Sequence, residues 1–116
     1  MKLSEIKTED DVRRALSDKT EFEKEVLVAT FKIPRGKVST YGRIAKKISK
    51  PHAYRAVANA LHKNPLHPVV PCHRVVCSDG RFGGPKQRAD GRRKLCEQEG
   101  IPIKNNAVKI SKEILF

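Results

Sequence analysis

Apolar side chains recur at helical spacing from Phe22 onward: Phe22, Val26, Ala29 and Ile33 fall on one face of a 3.6-residue repeat. Thr20 stands three residues before Glu23, the pattern in which a cap hydroxyl and a carboxylate satisfy orphan backbone donors. The spacing therefore predicts a helix from Thr20, ended by the turn residues Pro34 and Gly36. Tyr41, Ile44, Ala45 and Ile48 form a second stripe and predict a helix from Ser39 or Thr40, with Arg43, Lys46, Lys47 and Lys50 opposite. A third helix is predicted from Pro51, a residue suited to a first helical turn, to His62. Ala53, Tyr54, Val57 and Leu61 are spaced to pack it, and Ala56, Ala58 and Ala60 keep it slim. Two short basic helices across a tight turn suit either a helix-turn-helix or an ordinary helical hairpin.

The flanks are less regular. Leu3 to Ser17 is mixed and acidic, so residues 1–19 read as an arm or short helix ahead of a domain spanning 20–116. Residues 64–70 read as a loop with Pro65 and Pro68, and 75–82 as a hairpin turning at Ser78, Asp79 and Gly80. Residues 83–91 read as a loop, and 91–99 as a helix closed by Gly100 and Pro102. Ile103 and residues 108–110 are expected to pair around Asn105 and Asn106. The fold class that follows is mainly α with a small β-hairpin.

A length of 116 residues suits one domain with a modest core. The chain carries 25 Lys and Arg against 13 Asp and Glu, a formal charge of +12. The first twenty residues hold five of each sign, so the whole excess lies beyond them. Between Val26 and Cys96 there are 16 basic residues and only Asp79 and Asp90. Such a field points to nucleic acid through phosphate contacts, with a solvated face or an anionic membrane as the other readings. Aromatic residues are 5% and Trp is absent, which favours duplex over a stacking single-strand binder. No apolar run approaches the roughly 20 residues of a membrane span, and the polar start is unlike a secretory signal. The three cysteines, Cys72, Cys77 and Cys96, are an odd number, which argues against a disulfide scaffold and for a reducing compartment. That compartment is the cytoplasm, or the nucleus in a eukaryote. Cys72, His73, Cys77 and Cys96 match no compact zinc spacing, so neither metal nor cofactor is expected.

Cys72 beside His73 suits an activated thiolate, since a nearby base generates the nucleophile. Adjacent residues seldom bond each other, so a water would have to join thiol and imidazole and a carboxylate would have to orient the ring. The run Pro71-Cys72-His73-Arg74-Val75 resembles the active-site motif of the O6-alkylguanine-DNA alkyltransferases. The runs 39–45 and 52–61, the pair Asn64-Pro65 and the pair Glu99-Gly100 resemble that family's further motifs in the same order, over roughly 21–101. The resemblance implies a winged-helix-like helix-turn-helix domain that acts on duplex DNA containing O6-alkylguanine, as a monomer and away from membranes. It implies that Cys72 takes the alkyl group once, that His73 draws the thiol proton and that Glu99 orients His73. Asn64 would brace the cysteine turn, and Tyr41 would give a proton or a hydrogen bond to the departing guanine. Arg55 would hold the gap left by a flipped nucleotide, with Ala53 and Ala56 in the minor groove and Thr40 and Arg74 at the DNA. Leu61, Val75, Pro71 and Pro85 would line the pocket.

Two departures stand beside the resemblance. Most of the family carries a further N-terminal domain, so this domain is expected to fold without one. Pro85 and Lys86 stand where the family has a tyrosine and a small hydroxyl residue. That loop is more like the alkyltransferase-like proteins, which bind lesions without removing them but lack the cysteine kept here. A non-transferring lesion binder and a winged-helix regulator are therefore the competing functions.

Overall fold

The computed structural model describes residues 2–116; Met1 of the expected arm lies outside them. The arm is a 3-10 turn at Leu3–Glu5 followed by α1, Glu9–Ala15. Thr8 caps α1 with a complete capping box, its hydroxyl accepting from Asp11 N while the Asp11 carboxylate accepts from Thr8 N. Val12 and Leu16 are fully buried and Ile6 nearly so, which joins this segment to the core instead of leaving it loose. α2 spans Glu21–Phe31. Thr20 caps it through Glu23 N at 3.1 Å, but Glu23 Oε1 turns to the Thr20 hydroxyl and not to its backbone N–H, so the box is half formed.

β1, Ser39–Thr40, leads directly into α3, Tyr41–Lys47, and Thr40 Oγ1 accepts from Arg43 N to cap it. α4 spans Tyr54–His62 and packs on α3 and α2 through the fully buried Val57. The expected start at Pro51 is corrected. Ser49 takes a left-handed φ of 63° and residues 51–52 form a turn, so the helix begins three residues later with Ala53 as its N-cap. Tyr54, expected to pack, is 49% exposed on the first turn.

A 3-10 turn at Cys72–Arg74 runs into β2, Val75–Val76. β2 pairs in parallel with β1, Ser39 opposite Val75 and Thr40 opposite Val76. The expected hairpin over 75–82 is therefore a tight turn, closed by Gly80 N to Cys77 O and Cys77 N to Arg81 O, with the ladder given to β1. The expected 83–91 loop is also shorter: α5 runs Lys86–Gln98, beginning just after Pro85. β3, Ile103–Lys104, and β4, Ala107–Val108, form the antiparallel pair, turning on the positive φ of Asn105 and Asn106. One apolar cluster lies beneath the helices; a smaller one gathers Val38, Val76, Cys96, Ile101 and Val108 where the strands meet α5.

Candidate active site

The 3-10 turn holding Cys72 runs straight into β2, the ladder partner of β1, and packs against α5. Asn64 shapes the approach: its Nδ2 donates to Val70 O at 2.8 Å and its Oδ1 accepts from Leu66 N at 2.9 Å. The loop is thereby tied across itself just before Pro71 and Cys72.

Behind the cysteine lies a buried charged network. His73 Nε2 is 2.8 Å from Glu99 Oε2, and the two side chains are 3% and 7% exposed. Arg74 clamps the same carboxylate from Nε at 2.8 Å and Nη2 at 2.9 Å, and donates from Nη1 to Ile33 O. Arg74, expected at the DNA, points inward instead, because all three of its guanidinium nitrogens are engaged there. Burial works to raise the Glu99 carboxyl, but the hydrogen bonds from Arg74 and His73 outweigh it and hold it at about 2. Burial lowers His73, opposed by the Glu99 hydrogen bond, with the net direction downward. The neutral imidazole is the state favoured at neutral pH.

In front, Cys72 opens on a cavity of about 350 Å³ with Leu61, His62, Asn64 and His67 on one side and Arg88, Arg92 and Leu95 of α5 on the other. Among the described residues no carboxylate lines it. Burial and then Arg92 and Arg88 lower His62, whose Nε2 is enclosed with no hydrogen-bond partner among the described residues. Arg92 also donates to Gly83 O, which ties α5 to the loop before it. Tyr41 is 9% exposed, burial pushes its phenol up, and a Cβ on Gly83 would meet its hydroxyl at 2.7 Å. The two other thiols are less available: Cys96 is fully buried, donates to His73 O and is pushed by burial to about 12, and Cys77 is also raised by burial.

Of the expected pocket residues, Leu61 lines the cavity, Val75 and Pro71 are buried and do not line it, and Pro85 is exposed at the head of α5. Arg55 and Ala56 are exposed on α4, while Ala53 is half-buried at its start. Thr40 is 8% exposed, its hydroxyl spent on the α3 cap. His62, His67, Arg88 and Arg92 were not singled out from the sequence; none falls on an apolar stripe, and the basic excess alone does not say which cations turn inward.

Residues 21–101 match the family described as 6-O-methylguanine DNA methyltransferase, DNA binding domain. The chain belongs to the O6-alkylguanine-DNA alkyltransferase family. Among these alkyltransferases it is similar to the methylated-DNA–protein-cysteine methyltransferase of Methanosarcina mazei, 51% identical over 56% of this chain and 41% of that protein. The Mycobacterium bovis protein of the same name is 40% identical over 79% of this chain and 55% of its own length. The chain thus spans about half the length of these curated relatives. Mycobacterium tuberculosis O6-methylguanine methyltransferase superposes with a TM-score of 0.66 and 40% identity, over 70% of this chain and 49% of that one. The S. pombe ATL in complex with DNA superposes with a TM-score of 0.67 and 32% identity, over 83% of this chain and 94% of that one. The helix-turn-helix of α3 and α4, with the strands beside it, is the winged-helix-like C-terminal domain of the alkyltransferases.

Proposed function

We propose that this protein repairs duplex DNA by moving the alkyl group of O6-alkylguanine onto Cys72. The observation that carries the reading is a cysteine opening on a cavity, backed by the buried His73–Glu99–Arg74 network. In the step, the sulfur electron pair forms an S–C bond as the C–O6 bond breaks, and guanine leaves with the pair that joined it to the carbon. The thiol proton leaves toward the His73–Glu99 pair. Tyr41 gives a proton to the departing base and is reprotonated by the proton that left the thiol, since burial disfavours its phenolate. The thioether is stable, so each molecule acts once. Arg55, exposed on the first turn of α4, would fill the stack vacated by a nucleotide turned into the cavity.

A second reading, lesion binding without transfer, is favoured by the loop before α5. Pro85 and Lys86 are both exposed, and α5 presents Arg88 and Arg92 to the cavity instead of an aromatic ring or hydroxyl. Incubation with duplex containing O6-methylguanine, followed by mass spectrometry, separates the readings. Transfer predicts one methyl on Cys72, stoichiometric and absent in Cys72→Ser. Tight, lesion-dependent binding with unchanged mass would replace transfer by sensing. Sequence-selective binding indifferent to the lesion would replace both by a regulator.

A further inference from the structure

None of the roles above uses His67, which lies in the loop that Asn64 braces. His67 Nε2 is 3.1 Å from His73 Nδ1, and the two rings meet edge to face at 82°. The tautomers follow from Glu99. Its carboxylate is ionised and only accepts, so His73 Nε2 carries the proton that faces it. In a neutral His73 the other nitrogen, Nδ1, is then an acceptor, and His67 Nε2 must be the donor to it. This leaves His67 Nδ1 with a free lone pair and no protein partner among the described residues. His67 also lines the Cys72 cavity, whereas His73 is closed off behind it, its side chain 3% exposed.

We propose that His67 is the base that faces Cys72, passing the thiol proton inward to His73. This rests on Cys72 being the reactive thiol of the proposed function. The Cys72 S–H bond breaks and its proton goes to His67 Nδ1, while the electron pair stays on sulfur. The His67 Nε2 proton moves to His73 Nδ1. The products are a thiolate, a neutral His67 protonated on Nδ1, and an imidazolium at His73 that donates to His67 Nε2 and to the Glu99 carboxylate. The charge formed by removing the proton thus sits beside the Glu99 carboxylate, the group that opposes burial at His73.

The groups that bear on His67 are His73 in the cysteine turn and Arg92 and Glu99 from α5 and its end. Burial, then His73 and Arg92, lowers His67, and Glu99 opposes them, so the ring is kept neutral and able to accept. His62 and Arg88 line the same cavity.

The test measures iodoacetamide modification of Cys72 against pH, without DNA, by mass mapping of the Cys72 peptide. His67→Ala should cut the rate at pH 7 by at least ~10-fold, with the deficit closing as pH rises and the thiol ionises unaided. His67→Gln can still donate an N–H to His73 but cannot accept a proton and pass it on, so it should lose the rate equally. A wild-type rate in His67→Gln, or a loss in His67→Ala of the same factor at every pH, would overturn the relay. Thermal unfolding of both variants is followed alongside, and His67→Gln decides if His67→Ala does not fold. Methyl transfer from damaged duplex is measured separately on the wild type. A His67-dependent thiol profile with no transfer sinks the repair reading and keeps the relay. Transfer with a thiol profile indifferent to His67 does the reverse.

Discussion

Glu99 accepts three hydrogen bonds, two from Arg74 and one from His73, with a side chain only 7% exposed. Its carboxyl is held near 2, against an ordinary value of 4.5. A depressed carboxyl contributes stability that is fully present above the unfolded value and is lost as pH falls through the folded one. The window is therefore from about pH 4.5 down to about pH 2, and the contribution is on the order of 3 kcal/mol. Urea unfolding across this range should show a steep acid limb in the wild type and a flatter one in Glu99→Gln. Glu99→Gln should also be less stable at neutral pH by roughly 3 kcal/mol, because the Arg74 guanidinium, 16% exposed, is left without its anion. Equal acid limbs in the two proteins would show that the network stores no such energy.

The turn between β2 and α5 makes a different claim on the sequence. Gly80 has a φ of 89°, and a Cβ there would run into the Val108 carbonyl of β4. Its own carbonyl accepts from Val108 N at 2.8 Å, so turn and strand are in direct backbone contact. Gly80→Ala should cost about 2–4 kcal/mol in denaturant unfolding, from strain and steric overlap together. A loss below about 0.5 kcal/mol would mean that the contact yields freely. The Ser78–Asp79–Gly80 turn was legible from composition, but its partner was not, since β4 lies about 28 residues on in sequence and nothing local reports it. The stripes of α2 and α3 were legible for the opposite reason, because periodicity is local: Val26, Ile33, Ile44 and Ala45 are all buried as spaced. α5 was read five residues short. Its opening run of Lys86, Gln87, Arg88, Ala89 and Asp90 has no apolar face, and Gly91 resembles a helix breaker. Gly91 is tolerated mid-helix, at a cost of about 1 kcal/mol relative to Ala, and only Cys96 of this helix is fully buried. In the site, Cys72, His73, Glu99 and Asn64 were legible through the resemblance. His67 was not, as a lone histidine between prolines carries no periodic signal, and Arg74, placed at the DNA by the resemblance, turns inward to Glu99, a partner 25 residues away that nothing local reports.

The excess of positive charge divides into two populations once the chain is folded. Arg74 and Arg92 are turned inward, and Lys47 lies 3.8 Å over the Phe116 ring while Arg43 donates to Phe116 O. Lys46, Lys50, Arg55, Lys63, Lys86, Arg88 and Lys94 are exposed on or beside α3, α4 and α5. These are among the groups available to a polyanion. On the proposed function, affinity for undamaged duplex should fall linearly in log–log form with salt, by roughly 0.9 per phosphate neutralised. Six contacts would cost on the order of 10³-fold between about 50 and 200 mM. A titration by fluorescence anisotropy measures this, and a flat profile would contradict duplex binding by this surface. The parallel pairing of Ser39–Thr40 with Val75–Val76 has a mechanical consequence for such a complex. It joins the first residue before α3 to the first residues after the cysteine turn by backbone hydrogen bonds, with Val75 and Val76 both fully buried. On the proposed function, α3, which packs on the α4 that carries Arg55, and the turn that holds the sulfur are thereby tied to one another. On that reading the displacement that brings carbon to sulfur would fall to the DNA, and the work of unstacking it, a few kcal/mol, would be drawn from binding.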